Sequence, residues 1–280
     1  MTSAPPATPE PDAEGTLQAA LAALRSGRHD DAARLAGEML AAEPGNVVAA
    51  QVLGHAALIL GRPADAIAPL QSAARGGDPA IETLLARALA GAGRREAAIE
   101  QLQRTTERRP PFPLAFLELG ELLGGLGRFD EAAAALERGL ALAPDAAVLR
   151  VGLGQLHLRR NERAKARSLF LEVRAAAPDR HDALVALAGV MALDGEPAEA
   201  AALYRRALEL RPGDALVMIS LAKCLLEMGE RDAAEVALCE AAQAAPRLAG
   251  LAITALAAAS HGRFFLRPSD AASFLEGEGS

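Results

Sequence analysis

Seven alanines recur along this chain at near-constant spacing: Ala32, Ala66, Ala98, Ala132, Ala166, Ala200 and Ala234. The steps between neighbours are 34, 32, 34, 34, 34 and 34 residues. A period in that range, held over most of a sequence, specifies stacked copies of one small unit rather than a single globular core. It also argues against catalysis at any one position, because the same framework residues return in every copy.

Other columns keep step with the alanines. Five residues before each stands Gly27, Gly61, Gly93, Gly127, Asn161, Gly195 or Gly229, residues that accept a left-handed helix-ending conformation at low cost. Twelve residues before each stands a small residue: Ala20, Gly54, Ala86, Gly120, Gly154, Ala188 or Ala222. Leucines run just ahead of that column at 53, 85, 119, 153, 187 and 221. Prolines follow twelve residues after the alanine at 44, 110, 144, 178, 212 and 246, with Asp78 and Pro79 in the shortened second copy. The columns predict two short helices per copy. The first ends at the Gly/Asn turn, and the second ends near the proline, which lacks a backbone donor and restricts the residue before it. Facing small residues let the helices approach, and the leucines supply buried area, roughly 1.5–3 kcal/mol each when fully covered.

The strings "FLELGELLGGLGRFDEAAAALERGLALAPD" and "LVALAGVMALDGEPAEAAALYRRALELRPGD" resemble the tetratricopeptide repeat family. The resemblance covers about residues 13–248. It implies an all-α fold, a right-handed superhelical solenoid of antiparallel helix pairs, with first helices lining an inner face and second helices an outer one. The chain departs from the family early in the first helix, where large aromatics are favoured. Here stand Thr16, Ala50, Glu82, Phe116, Arg150, Leu184 and Met218.

The copies start near 13, 47, 79, 113, 147, 181 and 215. Residues 1–12, rich in Pro, Ala and Thr, read as a disordered leader. Residues 249–276 read as a C-terminal capping helix with a Phe-rich cap (Phe264, Phe265, Phe274), or as an apolar hook for a partner or a second copy; 277–280 read as a disordered tail. The second copy is two residues short and ends in "ARGGDPA". That is the expected irregularity of the array, either a hinge or a deletion absorbed by a loop.

The formal net charge of −7 argues against a nucleic-acid footprint, which needs a basic face. No stretch is apolar enough to span a bilayer, and the N-terminus lacks a basic start and an apolar segment, so a cytoplasmic location is expected. The five histidines show no paired ligand spacing, no phosphate-cradling glycine loop precedes a lysine, and Cys224 and Cys239 read as packing residues. No metal, cofactor or enzymatic activity is expected.

Helical spacing places the second, fifth, ninth, twelfth and thirteenth residues of each copy on one face. The candidate peptide-binding residues on that inner face are Gln51, His55, Thr83, Arg87, Leu117, Glu121, Val151, Gln155, Arg159, Val185, Ile219 and Lys223. The expected trough has an aliphatic floor with sparse polar groups, suited to a peptide or partner protein with aliphatic anchors, unless those aliphatics are buried within the array itself. Val151→Asp is expected to abolish capture while leaving helix content intact. No adjacent copies carry the Asn and Lys/Arg combination by which family members grip a terminal carboxylate, so that mode is disfavoured. The residue after each turn switches from Arg28, Arg62, Arg94 and Arg128 to Glu162, Glu196 and Glu230, which reads as a solvated edge or a means of orienting a dipolar partner.

The expected function is a non-catalytic interaction scaffold or adaptor. The alternative is an accessory subunit of a separately encoded glycosyltransferase or polysaccharide-export system, since bacterial and plant glycosyltransferases carry similar arrays. Homo-oligomerisation through the tail or an exposed edge stays open.

Overall fold

Alanine, leucine and arginine dominate the stretches between turns, and these are strong helix formers. A computed structural model describes residues 13–258 and 273–275, and among them the regular structure is helical. The helices come in pairs: α1 (Ala13–Arg25) with α2 (His29–Ala42), α3 (Val47–Ile59) with α4 (Ala64–Ala73), α5 (Pro79–Gly91) with α6 (Arg95–Thr106), and α7 (Pro113–Gly125) with α8 (Phe129–Leu142). The pattern continues with α9 (Ala147–Arg159) and α10 (Arg163–Ala176), α11 (His181–Leu193) and α12 (Pro197–Leu210), α13 (Ala215–Glu227) and α14 (Arg231–Ala244), then α15 (Ala249–Ala258). Residues 1–12, Phe264, Phe265 and 277–280, for which leader, cap and tail were expected, lie outside the described residues.

The chain divides into two compact blocks, residues 1–149 and 150–280, with the boundary inside α9. In the N-terminal block each first helix packs on its own second helix and also touches the next first helix, α1 on α3, α3 on α5 and α5 on α7. In the C-terminal block α11 touches α13 and α13 touches α15 in the same way.

The turn column behaves as its chemistry demands. Gly27, Gly61, Gly93, Gly127, Gly195 and Gly229 all have φ between 69° and 80°, and Asn161, the non-glycine member, has φ 59°. The residue that follows each of them returns its N–H into the helix just ended, as Arg94 does to Leu89 at 2.8 Å, closing orphan carbonyls. The proline column acts through its predecessors: Glu43, Ala143, Ala177, Arg211 and Ala245 sit at φ −135° to −144°, outside the helical region, because a following proline disfavours it.

All seven column alanines are fully buried. Opposite them the small column sets the approach of the two helices. A Cβ added at Gly154 would lie 2.4 Å from the ring of Phe170, a fully buried side chain, so here only glycine lets α9 and α10 close. In the C-terminal block a continuous apolar cluster joins Leu184, Tyr204, Ile219, Leu225, Leu238 and Leu256. Leu275 enters the same cluster at 4 % exposure, with Phe274 packed against it.

The second pair carries the irregularity. Its second helix, α4, has ten residues and holds Pro69 in its interior, then passes into a 3-10 turn at Ala74–Gly76 and a left-handed Gly77 at φ 75°. The Asp78 side chain restarts the chain by accepting from the N–H of Ala80 at 2.8 Å, a helix N-cap.

Candidate functional site

The first helices present the candidate residues, and the structure sorts those residues by depth. The fifth-place row is used for packing: Val151 is 4 % exposed, Ile219 1 % and Thr83 1 %, while Gln51, Leu117 and Val185 are half-buried. Thr83 bonds its own helix, donating to the Pro79 carbonyl at 2.6 Å. An aspartate at Val151 would strand a carboxylate inside the packing and destabilise the helix pair, so loss of capture there would not by itself locate a binding surface. The aliphatic side chains that do reach solvent lie one turn earlier, at Val48, Leu114 and Leu216.

The ninth-place row is the accessible one. Arg87, Glu121, Gln155 and Lys223 are exposed, as is Arg159, and His55 is half-buried. In the N-terminal block three of these gather with a residue from the sixth place. Arg87 on α5 reaches across to Glu118 on α7, with Nε 3.4 Å from Oε1. Burial pushes the Glu118 carboxyl above its ordinary value, against the pull of Arg87 and with a smaller push from Glu121. Burial also holds His55 on α3 below its ordinary value, and the Arg87 charge adds to that. The result is a polar row of His55, Arg87, Glu118 and Glu121 across three successive first helices, with Val48 and Leu114 exposed on the same helices. Glu118 stands one helical turn before Glu121 on α7. Its place opposite Arg87 depends on how α5 and α7 pack, which periodicity does not specify.

In the C-terminal block the exposed Gln155, Arg159 and Lys223 form no corresponding charge pair among the described residues, and Leu216 is exposed on α13. The row can hold a partner's polar groups by hydrogen bond and charge. It carries no nucleophile beside a base.

Burial pushes the Cys224 thiol up to about 11, and it raises Cys239 as well, which disfavours the reactive thiolate in both. Cys239 donates to the Phe274 carbonyl at 3.6 Å. Among the described residues no cluster of His, Cys, Asp or Glu could hold a metal ion. No helix among them is long and apolar enough to cross a membrane.

Family profiles described as tetratricopeptide repeat match residues 17–80 and 83–147 in one case and 125–188 and 191–258 in another. Solved structures agree in fold. A tetratricopeptide repeat protein from Parabacteroides merdae is 18% identical over 83% of this chain and 93% of its own, with a TM-score of 0.61. The human IFIT1 dimer with m7Gppp-AAAA is 16% identical over 87% of this chain, which spans 62% of the IFIT1 chain, with a TM-score of 0.64. A thermophilic TPR protein of Thermus thermophilus is 23% identical over 64% of this chain and 98% of its own, with a TM-score of 0.53. No curated protein sequence gives a match.

Proposed function

We propose that this chain, which belongs to the tetratricopeptide repeat family, works as a non-catalytic scaffold that binds a peptide or partner protein on the first-helix face of its N-terminal block. The family repeat supports an interaction role. The observation that carries the location is the row of Arg87, Glu118, Glu121 and His55 beside the exposed Val48 and Leu114. Charged groups of both signs with solvent-facing aliphatics fit a segment that anchors by aliphatic side chains and takes its register from polar contacts. On the C-terminal block, taken by itself, Gln155, Arg159, Lys223 and Leu216 offer polar groups and an exposed aliphatic side chain.

The test is affinity capture with mass spectrometry on three proteins: the intact chain, Val48→Asp/Leu114→Asp, and Arg87→Glu. These positions are exposed, so the variants are expected to keep their helix content by circular dichroism. Both variants should lose the partners that the intact chain retains. Retention of the same partners by both would place the binding surface elsewhere.

A further inference from the structure

The shortened second pair borders a cleft of the N-terminal block. Between α4, α5 and α6 lies an open cleft of about 620 Å³. One wall is the truncated α4 and its 3-10 turn, and the other is α6, whose twelve residues span about 18 Å at 1.5 Å per residue. Leu85 and Leu89 of α5 form an apolar floor.

Four guanidinium groups line this cleft: Arg94 at one end of α6, and Arg75, Arg104 and Arg108 at the other. They are not equally neutralised. Arg108 donates to Glu82 from both Nη2 and Nε, the latter at 3.3 Å, and Glu82 is only 4 % exposed. Glu82 thus acts as a buried anchor that fixes one arginine. Arg104 has Glu100 four residues ahead of it, the arrangement that favours an ion pair on a helix. It bonds the Gln101 amide oxygen instead, at 2.9 Å. Among the described residues Arg75 and Arg94 have no carboxylate partner. Glu100 and Glu107 also line the cleft, so with Glu82 its four arginines face three glutamates and one positive charge is left over, on a chain whose formal net charge is −7.

We propose that this cleft is a second binding site, for an extended acidic peptide segment with aliphatic side chains at its centre. Arginine forks pair carboxylates with directional, charge-assisted bonds. An extended chain at about 3.3 Å per residue covers the length of α6 with five or six residues. Carboxylates at the two ends of such a segment meet Arg94 on one side and Arg75 with Arg104 on the other, and the aliphatic centre lies on Leu85 and Leu89.

The test is selection from a random-peptide display library on the full chain, followed by fluorescence anisotropy with the selected peptide. Enriched peptides should carry carboxylates flanking aliphatic residues. Arg75→Ala/Arg104→Ala should weaken binding by roughly tenfold, a few-fold for each exposed guanidinium–carboxylate pair removed, with the fold kept because both side chains are exposed. Glu100→Lys should tighten it several-fold, and added salt should weaken it. Arg87→Glu, on the first-helix face, should leave it unchanged. No enrichment, enrichment of basic peptides, indifference to the double arginine variant, or weakening by Glu100→Lys would each overturn the proposal.

Discussion

Among the described residues, the buried threonine and charged side chains, Glu82, Thr83, Thr105 and Thr106, all fall in one helix pair of the N-terminal block, α5 with α6. The C-terminal block is built on an uninterrupted apolar cluster running from Leu184 to Leu275. The threonines cost their block little, because each bonds a carbonyl of its own helix: Thr105 to Gln101 at 2.8 Å and Thr106 to Gln103 at 2.7 Å. Glu82 is different. Its partner lies 26 residues away, so it constrains tertiary structure. A buried charge is tolerated where a second element must be held in one place, and it is weak evidence for stability.

The blocks differ again at the turn edge, where the switch from arginine to glutamate proves to be a reversal of ion pairs between successive repeats. In the N-terminal block two of the arginines after the turn reach back to an acid of the preceding pair, Arg62 to Asp30 at 3.6 Å and Arg128 to Glu96 at 3.9 Å. In the C-terminal block two glutamates take that role, Glu196 receiving Arg167 at 2.8 Å and Glu230 receiving Arg205 at 3.7 Å. The same bridge is made with opposite polarity.

The widest gap between the blocks should appear on removing their interior keystones. Phe170→Ala in the C-terminal block should cost about 3–5 kcal/mol, the typical loss for emptying a fully buried aromatic site, read from denaturant unfolding. Arg108→Ala should lower the melting temperature less, by leaving the Glu82 carboxylate without its partner. Glu82→Leu added to it should recover most of the loss, since an apolar pair can replace a buried ionic one. If the double variant is no more stable than the single, the pair is not what sets the polar character of this block.

A pH titration sharpens the contrast at the first-helix face. His55 titrates in the folded chain below its ordinary 6.5, so its share of stability is present above 6.5 and lost as pH falls through the window beneath. Glu118 titrates above its ordinary 4.5, so its share is present below 4.5 and lost as pH rises through the window above. Arg87 lowers both values. Arg87→Met should raise both, as NMR titration of the two side chains would show, and a fall in either would contradict the arrangement. The smallest effect belongs to the turn edge. Swapping Arg205 and Glu230 should leave the melting temperature nearly unchanged, while either single change should lower it slightly.

Much of this architecture was legible in the residues themselves. Turn glycines, small interface residues and buried alanines each answer to a local steric demand that repeats, so the columns announce them. Depth on the first-helix face was not legible. Val151 and Arg87 both occupy inner places by helical spacing, but one is covered and the other open. That depends on how closely neighbouring first helices approach, a property of the pair of surfaces. Glu82 was visible as a departure from the family's aromatic. Its anchoring by Arg108 was not, because the arginine follows α6 instead of sitting at the matching place on the helix, where Arg138 lies 5.4 Å over the Phe116 ring in the next pair.

The fully buried alanines carry a mechanical corollary. A methyl group offers little surface to grip, so the alanines let the helices close through many weak contacts, while each hairpin leans only on its immediate neighbours. Pulled from both termini, such a chain should lengthen in small sequential yields, one hairpin peeling before the next, and shorten again in the same increments when the load is released.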